Sequence, residues 1–173
     1  MREEILATAR RLTLQRGLVP SLNSVTEAAG ISKGGLIHHF PTRAALVIGL
    51  ARTALAEVDR AMTAAAAEGR AAEEWIRLSL PNREERELMQ ALASAYLPGD
   101  ARFDELLAEA RAATARWEAM IATEVGDPVH ARVIRLVGDA LVANAVAGLE
   151  TAPSDIDGLL AFLLSRATGD SGP

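Results

Sequence analysis

The sequence predicts an all-α protein of about nine helices. Alanine and leucine dominate a chain that is 50% apolar yet only 3% aromatic, a composition of good helix formers. No stretch alternates apolar and polar residues as a half-buried strand would. Glycine, proline and capping residues cut the chain into pieces whose apolar positions recur at helical spacing. At 173 residues there is room for one core, or one plus a small module, and a multidomain enzyme is not expected. The chain has no cysteine, which rules out a disulfide, a thiolate nucleophile and a cysteine-ligated zinc.

Residues 2–16 set Ile5, Ala9 and Leu12 on one helical face and stop at Gly17, a residue suited to a left-handed C-terminal cap. A short helix over residues 22–29 has Ser21 or Ser24 as its N-cap. Glu27 stands three residues after Ser24, and this capping-box spacing favours the later start. Gly30 ends that helix, and Ser32 caps a third one to about Phe40. Three short helices with so brief a turn between the second and third match a helix-turn-helix.

Pro41-Thr42 opens a long helix over about residues 43–68, with Leu46, Leu50, Leu55, Val58 and Met62 at helical spacing. Gly69-Arg70 breaks it. A short helix holding Trp75, Ile76 and Leu80 ends before Pro81, and Asn82 caps the next, to about Tyr96, ahead of the turn Leu97-Pro98-Gly99. Asp100 caps a long helix to about Val125, whose buried stripe reads Phe103, Leu106, Leu107, Ala110, Trp117, Met120 and Ile121. Gly126-Asp127-Pro128 is then a stop, an N-cap and a first-turn proline.

The last two helices, about residues 129–149 and 155–166, carry little polar surface between Asp139 and Glu150. A helix apolar around most of its circumference needs cover on more than one side. A second copy of the chain supplies that cover through Val133, Val137, Ala140, Leu141, Leu159, Leu160 and Leu163, packed as a helical bundle. Central helices of a monomer are the alternative. Residues 169–173 read as a flexible tail. The start, Met1-Arg2-Glu3-Glu4, has acids where a secretory signal carries its basic and apolar parts. No apolar run approaches the roughly 20 residues of a membrane span. The expectation is a soluble, cytoplasmic protein.

The net charge of −5 argues against nucleic acid until the chain is divided. Residues 1–50 hold six basic and three acidic groups, against 12 basic and 20 acidic in the remainder. A basic end facing a polyanion and an acidic body follow from that asymmetry. Within the basic end, Gly30 makes the turn, Ser32 caps, and Leu36 and Phe40 face the first two helices at i and i+4. Lys33, Gly34, Ile37 and His38 are left pointing outward, with Gly35 near the exposed first turn. Lys33 is the only lysine in the chain. Two consecutive glycines cost roughly 1 kcal/mol each relative to alanine in a helix, and their smallness lets the backbone approach DNA closely.

The runs Ile5-Leu6-Ala7-Thr8-Ala9-Arg10-Arg11-Leu12 to Gly17, and Ala29-Gly30-Ile31-Ser32-Lys33-Gly34 to His39-Phe40-Pro41-Thr42-Arg43, resemble the TetR/AcrR family of bacterial one-component transcription regulators. The resemblance covers residues 2 to about 50 by motif, and the rest by length, helix count and the two apolar C-terminal helices. It implies a helix-turn-helix DNA-binding domain over residues 1–48 and an effector-binding and dimerisation domain over 49–168. It further implies a homodimer whose third helices enter successive major grooves of a palindromic operator, a repressor that a small molecule releases. Carried over residue by residue, Lys33, Gly35, Ile37 and His38 lie on the DNA face and His39 and Arg43 near phosphate, with Gly34 and Thr42 counted among the DNA-binding residues. Three positions depart from the family pattern. Gly35 stands where a hydroxyl residue is usual and Ile37 where tyrosine is usual, so Ile37 is suited to a thymine methyl instead. Thr13 stands where phenylalanine is usual, which predicts a thinner small core.

Trp75, Met89, Tyr96, Trp117 and Met120 line an effector pocket or serve as core, and their chemistry fits either. Asn144 is open to an effector, a dimer mate or a local backbone group. His130 reads as a solvated surface residue. His38 and His39 lie about 100° apart on a helix and so do not share a metal. The Gly30 to Gly35 run lacks the Gly-Lys-Ser/Thr order and preceding strand of a phosphate-binding loop. The sequence thus asks for no metal and no cofactor, and no nucleophile, base and orienting group converge as in an enzyme. The reading from another class is a helical small-molecule-binding or protein-interaction dimer that has lost specific DNA binding, which Gly35 and Ile37 suggest.

Overall fold

Local signals decide where most of the helices begin and end. The computed structural model describes residues 1–96, 100–149 and 153–165. Among these lie nine helices and no strand: α1 (Arg2–Arg16), α2 (Leu22–Ala29), α3 (Lys33–His39), α4 (Arg43–Ala67), α5 (Ala71–Leu78), α6 (Arg83–Ser94), α7 (Ala101–Val125), α8 (Pro128–Val146) and α9 (Pro153–Ser165). Gly17 closes α1 in the left-handed region at φ 69°, its N–H donating to the Thr13 carbonyl, a conformation that favours glycine. Asn82 and Glu85 form a reciprocal capping box at the start of α6. Asp127 accepts from the N–H groups of Val129 and His130 at the start of α8, with Pro128 in its first turn.

Several expectations give way. The N-cap of α2 is Ser21 rather than Ser24: the Ser24 N–H donates to Ser21 Oγ at 3.1 Å, so Ser24 already lies inside the first turn and Glu27 is left exposed. The α5 helix ends at Leu78 with Ser79 as its C-cap, the Leu80 N–H already turning to the Arg77 carbonyl at 3.2 Å ahead of Pro81, so Leu80 falls beyond it. Leu107 sits at the edge of the α7 stripe and is exposed, while Ala113 and Val125 are buried in that helix. His130 is half-buried, its Nε2 lying 2.8 Å from the Leu163 carbonyl oxygen. The turn at 97–99, the segment at 169–173 and the end of the last helix at 166 fall outside the described residues.

The chain gathers into two compact units. The first comprises 1–55 and 82–110. Its core joins Ile5 and Leu12 of α1, Val25 of α2, Leu36 and Phe40 around α3, Leu46 and Leu50 of α4, and Ala91 and Phe103 from the later segment. The three N-terminal helices thus share their core with α4, α6 and α7. Gly49 is what lets α4 lie this close, since a Cβ there would stand 2.7 Å from a Phe40 ring carbon and 3.1 Å from Leu6. Thr13 is fully buried, and its hydroxyl donates to the Ala9 carbonyl at 2.8 Å, so the polar atom is satisfied within its own helix.

The second unit comprises 56–81 and 111–173. Met62, Trp75, Ile76, Trp117, Ile121 and Ile134 fill its core. The two tryptophan rings lie 5.7 Å apart and tilted by 37°. Each indole N–H has a partner, as buried indoles require: Trp75 Nε1 donates to the Arg135 carbonyl at 3.2 Å and Trp117 Nε1 to Asp59 Oδ1 at 2.9 Å. Arg116 donates to the same Asp59 oxygen at 2.8 Å. These two donors hold the Asp59 carboxyl below the usual carboxylate range. The Ala72 N–H, unserved by any side chain of its own helix end, donates to Glu124 Oε2 at 3.0 Å. No helix among the described residues is long and apolar enough to cross a membrane.

Candidate nucleic-acid interface

The turn between α2 and α3 is built by two residues. Gly30 takes φ 66° and ψ 26°, its N–H donating to the Thr26 carbonyl. Ser32 then turns back to extended backbone and accepts the Gly35 N–H on its hydroxyl at 3.1 Å, satisfying one of the first-turn donors that a helix leaves open. With its start so set, α3 anchors itself through Leu36 and Phe40, both buried.

That anchoring turns Lys33, Gly34, Ile37 and His38 outward, and leaves Gly35 and His39 half-buried. Lys33 and Ile37 share one side of the helix at the i and i+4 positions, and His38 lies about 100° further round the exposed surface. The two imidazoles pack edge to face, centroids 5.2 Å apart. The two glycines differ in their surroundings. A Cβ on Gly34 would meet only open space, whereas one on Gly35 would stand 3.3 Å from the capping Ser32 Oγ. Among the described residues, no group of three or more His, Asp or Glu could hold a metal ion.

Beside α3, the start of α4 is fixed by side chains. Thr42 caps it, its Oγ1 accepting the Ala45 N–H at 3.1 Å. Arg43 is exposed, yet its Nη2 donates to the Val19 carbonyl at 2.7 Å, tying α4 to the segment before α2. Arg2 of α1 lies with its guanidinium carbon 5.3 Å from the Phe40 ring centroid. Arg102 of α7, in the same compact unit, donates from Nη1 to Thr42 Oγ1 at 2.8 Å. Neither Arg2 nor Arg102 was singled out by sequence reasoning. Arg102 stands 60 positions from its partner, and no local pattern signals such a contact.

The other expected site residues are more scattered. Trp75 and Trp117 are buried against each other, while Met120 is half-buried and Asn144 exposed, all in the second unit. Met89 is half-buried and Tyr96 exposed in the first unit, where the Tyr96 ring packs edge to face on Phe103. Of the residues assigned to a dimer seam, Val133 and Ala140 are exposed, Val137, Leu159 and Leu160 half-buried, and Leu141 and Leu163 buried within their own chain.

The family model described as Bacterial regulatory proteins, tetR family, matches residues 5–50. A second, described as Tetracyclin repressor-like, C-terminal domain, matches residues 69–168. No curated protein matches the chain. The first match contains the capped turn and the outward face of α3, the second contains α5 to α9, and the chain belongs to the TetR family of bacterial DNA-binding transcription regulators.

Proposed function

We propose that the protein is a homodimeric repressor whose two α3 helices read successive major grooves of a palindromic operator, and that a small molecule releases it from DNA. Residues 1–48 carry the DNA contacts in this reading, and 49–168 the effector site and the dimer seam. The observation that carries it is the outward face of α3, with Lys33, Ile37 and His38 exposed beside a side-chain-capped helix start. A helix of this kind presents its first turns to base edges and its N-terminus to phosphate. Lys33 supplies charge without sequence information, His38 a hydrogen-bonding edge for a base, and Ile37 an apolar surface for a thymine methyl.

Titration onto the DNA flanking its own gene and onto random DNA, at two salt concentrations, tests the reading. Selective binding that weakens with salt is expected. Equal, feeble binding to both would favour a helical dimer without sequence selectivity. The two reading residues separate as well. Lys33→Ala is expected to weaken binding to all sequences and to lower the salt slope by about 1. His38→Ala is expected to relax the preference at one base position by about 1–3 kcal/mol. Equal losses on operator and random DNA for both variants would overturn these roles.

A further inference from the structure

We infer that Arg102 is a positioning residue of the DNA interface, one that turns the Thr42 hydroxyl outward as the donor to a DNA phosphate. The inference rests on the DNA-binding reading and extends it to a residue of α7. A hydroxyl has one proton to give and two lone pairs to receive. At Thr42 both lone pairs are taken: the Ala45 N–H occupies one at 3.1 Å and Arg102 Nη1 the other at 2.8 Å. Only the O–H remains, and among the described residues it meets no acceptor. Thr42 is exposed, next to Arg43 and following the C-terminal end of α3. A phosphodiester oxygen is an acceptor without protons of its own, so the group left over at Thr42 is the one such an oxygen requires.

Arg102 is itself held in place. Its Nε and Nη2 donate to the two oxygens of Asp100 at 2.9 and 2.6 Å, a two-point fork, and the Arg102 N–H closes the same turn on Asp100 Oδ1 at 3.0 Å. The fork holds the Asp100 carboxyl below the usual carboxylate range, so the pair is ionised on both sides and neutral as a unit. A neutral pair adds little to counterion release. Arg102 therefore acts through the direction of one hydroxyl proton, where Lys33 acts through charge.

That difference decides the experiment, run with the full chain and a mixed-sequence DNA duplex, because a phosphate contact does not depend on sequence. The wild-type titration comes first, and its salt-dependent binding tests the DNA-binding reading separately. Arg102→Gln and Thr42→Val are each expected to weaken binding roughly tenfold, the loss of one charge-assisted hydrogen bond. The double variant is expected to be no weaker than Thr42→Val alone, and Thr42→Ser to keep both wild-type affinity and its sensitivity to Arg102→Gln. Because Arg102→Gln alone leaves the Asp100 carboxylate uncompensated, the salt slope is read in Arg102→Gln combined with Asp100→Asn, a pair of changes that removes both charges together, and it should equal the wild-type slope. Thermal unfolding of each variant sets the temperature at which all are folded for these titrations. Additive losses in the Arg102→Gln, Thr42→Val variant, or a salt slope lowered by about 1 in the variant that removes the Arg102 and Asp100 charges together, would overturn the inference, the latter by making Arg102 a direct phosphate contact.

Discussion

Leu136→Asp is expected to leave the folded chain intact and to separate the proposed dimer, raising its dissociation constant at least a hundredfold. On α8, Val129, Val133 and Leu136 are 71%, 44% and 51% exposed, and Ala140 continues the same stripe at helical spacing. An apolar stripe of this kind is unusual on a surface that meets only water. In a two-fold seam the same patch meets itself, so one substitution enters twice. Each buried, unpaired carboxylate costs several kcal/mol, while on the separated chain the carboxylate simply faces solvent. Sedimentation measures the mass, and titration onto operator DNA should show affinity lost along with it. A folded variant of unchanged dimer mass would refute the seam. Leu141→Asp makes the contrasting case: Leu141 is buried within its own chain, so unfolding, with no soluble monomer, is the expected result.

Gly138→Ala is expected to destabilise the protein by about 1–3 kcal/mol, the ordinary cost of overfilling a packed core, even though alanine favours a helix by about 1 kcal/mol over glycine. A Cβ at this position of α8 would stand 2.1 Å from Trp75 Nε1, 2.8 Å from Trp75 Cε2 and 2.6 Å from Ser79 Oγ. The indole would have to leave its hydrogen bond to the Arg135 carbonyl and its place against Trp117. Denaturant unfolding measures the stability, and a shift in tryptophan emission reports the displaced ring. Gly158→Ala in α9 is the control, since a Cβ there meets nothing within 4 Å and only the helix-propensity gain remains. Equal stabilisation by both substitutions would mean that Gly138 does not hold the α5 and α8 helices at close approach.

Much of this architecture is legible in single residues. Gly17, Gly30 and Gly126 take positive φ where the sequence stops a helix, and Ser32, Asn82 and Asp127 cap where a capping side chain precedes an apolar run. These signals are short-ranged: a cap and its N–H, or a left-handed glycine and the carbonyl it serves, lie within a few residues. The outward face of α3 follows from the same arithmetic, because Leu36 and Phe40 determine which side is buried. The start of α2 shows the limit of such reasoning. Ser21 and Ser24 both carry a capping hydroxyl, and Glu27 favoured the wrong one; the backbone geometry that puts Ser24 inside the turn is not written in the spacing.

The helices, the turn between α2 and α3, and the residues that face away from the N-terminal core are legible from the chain alone, because each depends on contacts within one or two helical turns. Packing between distant segments decided which apolar residues of α8 are used up inside the chain and which are left over. Periodicity cannot divide a helix that is apolar around most of its circumference, so Leu141 and Val133 read alike until their neighbours are in place. It also decided that Gly138 receives an indole and that Arg102 meets Thr42, pairs 63 and 60 positions apart. Such pairs are created by packing, and packing density depends on the shapes of distant segments that no local pattern records.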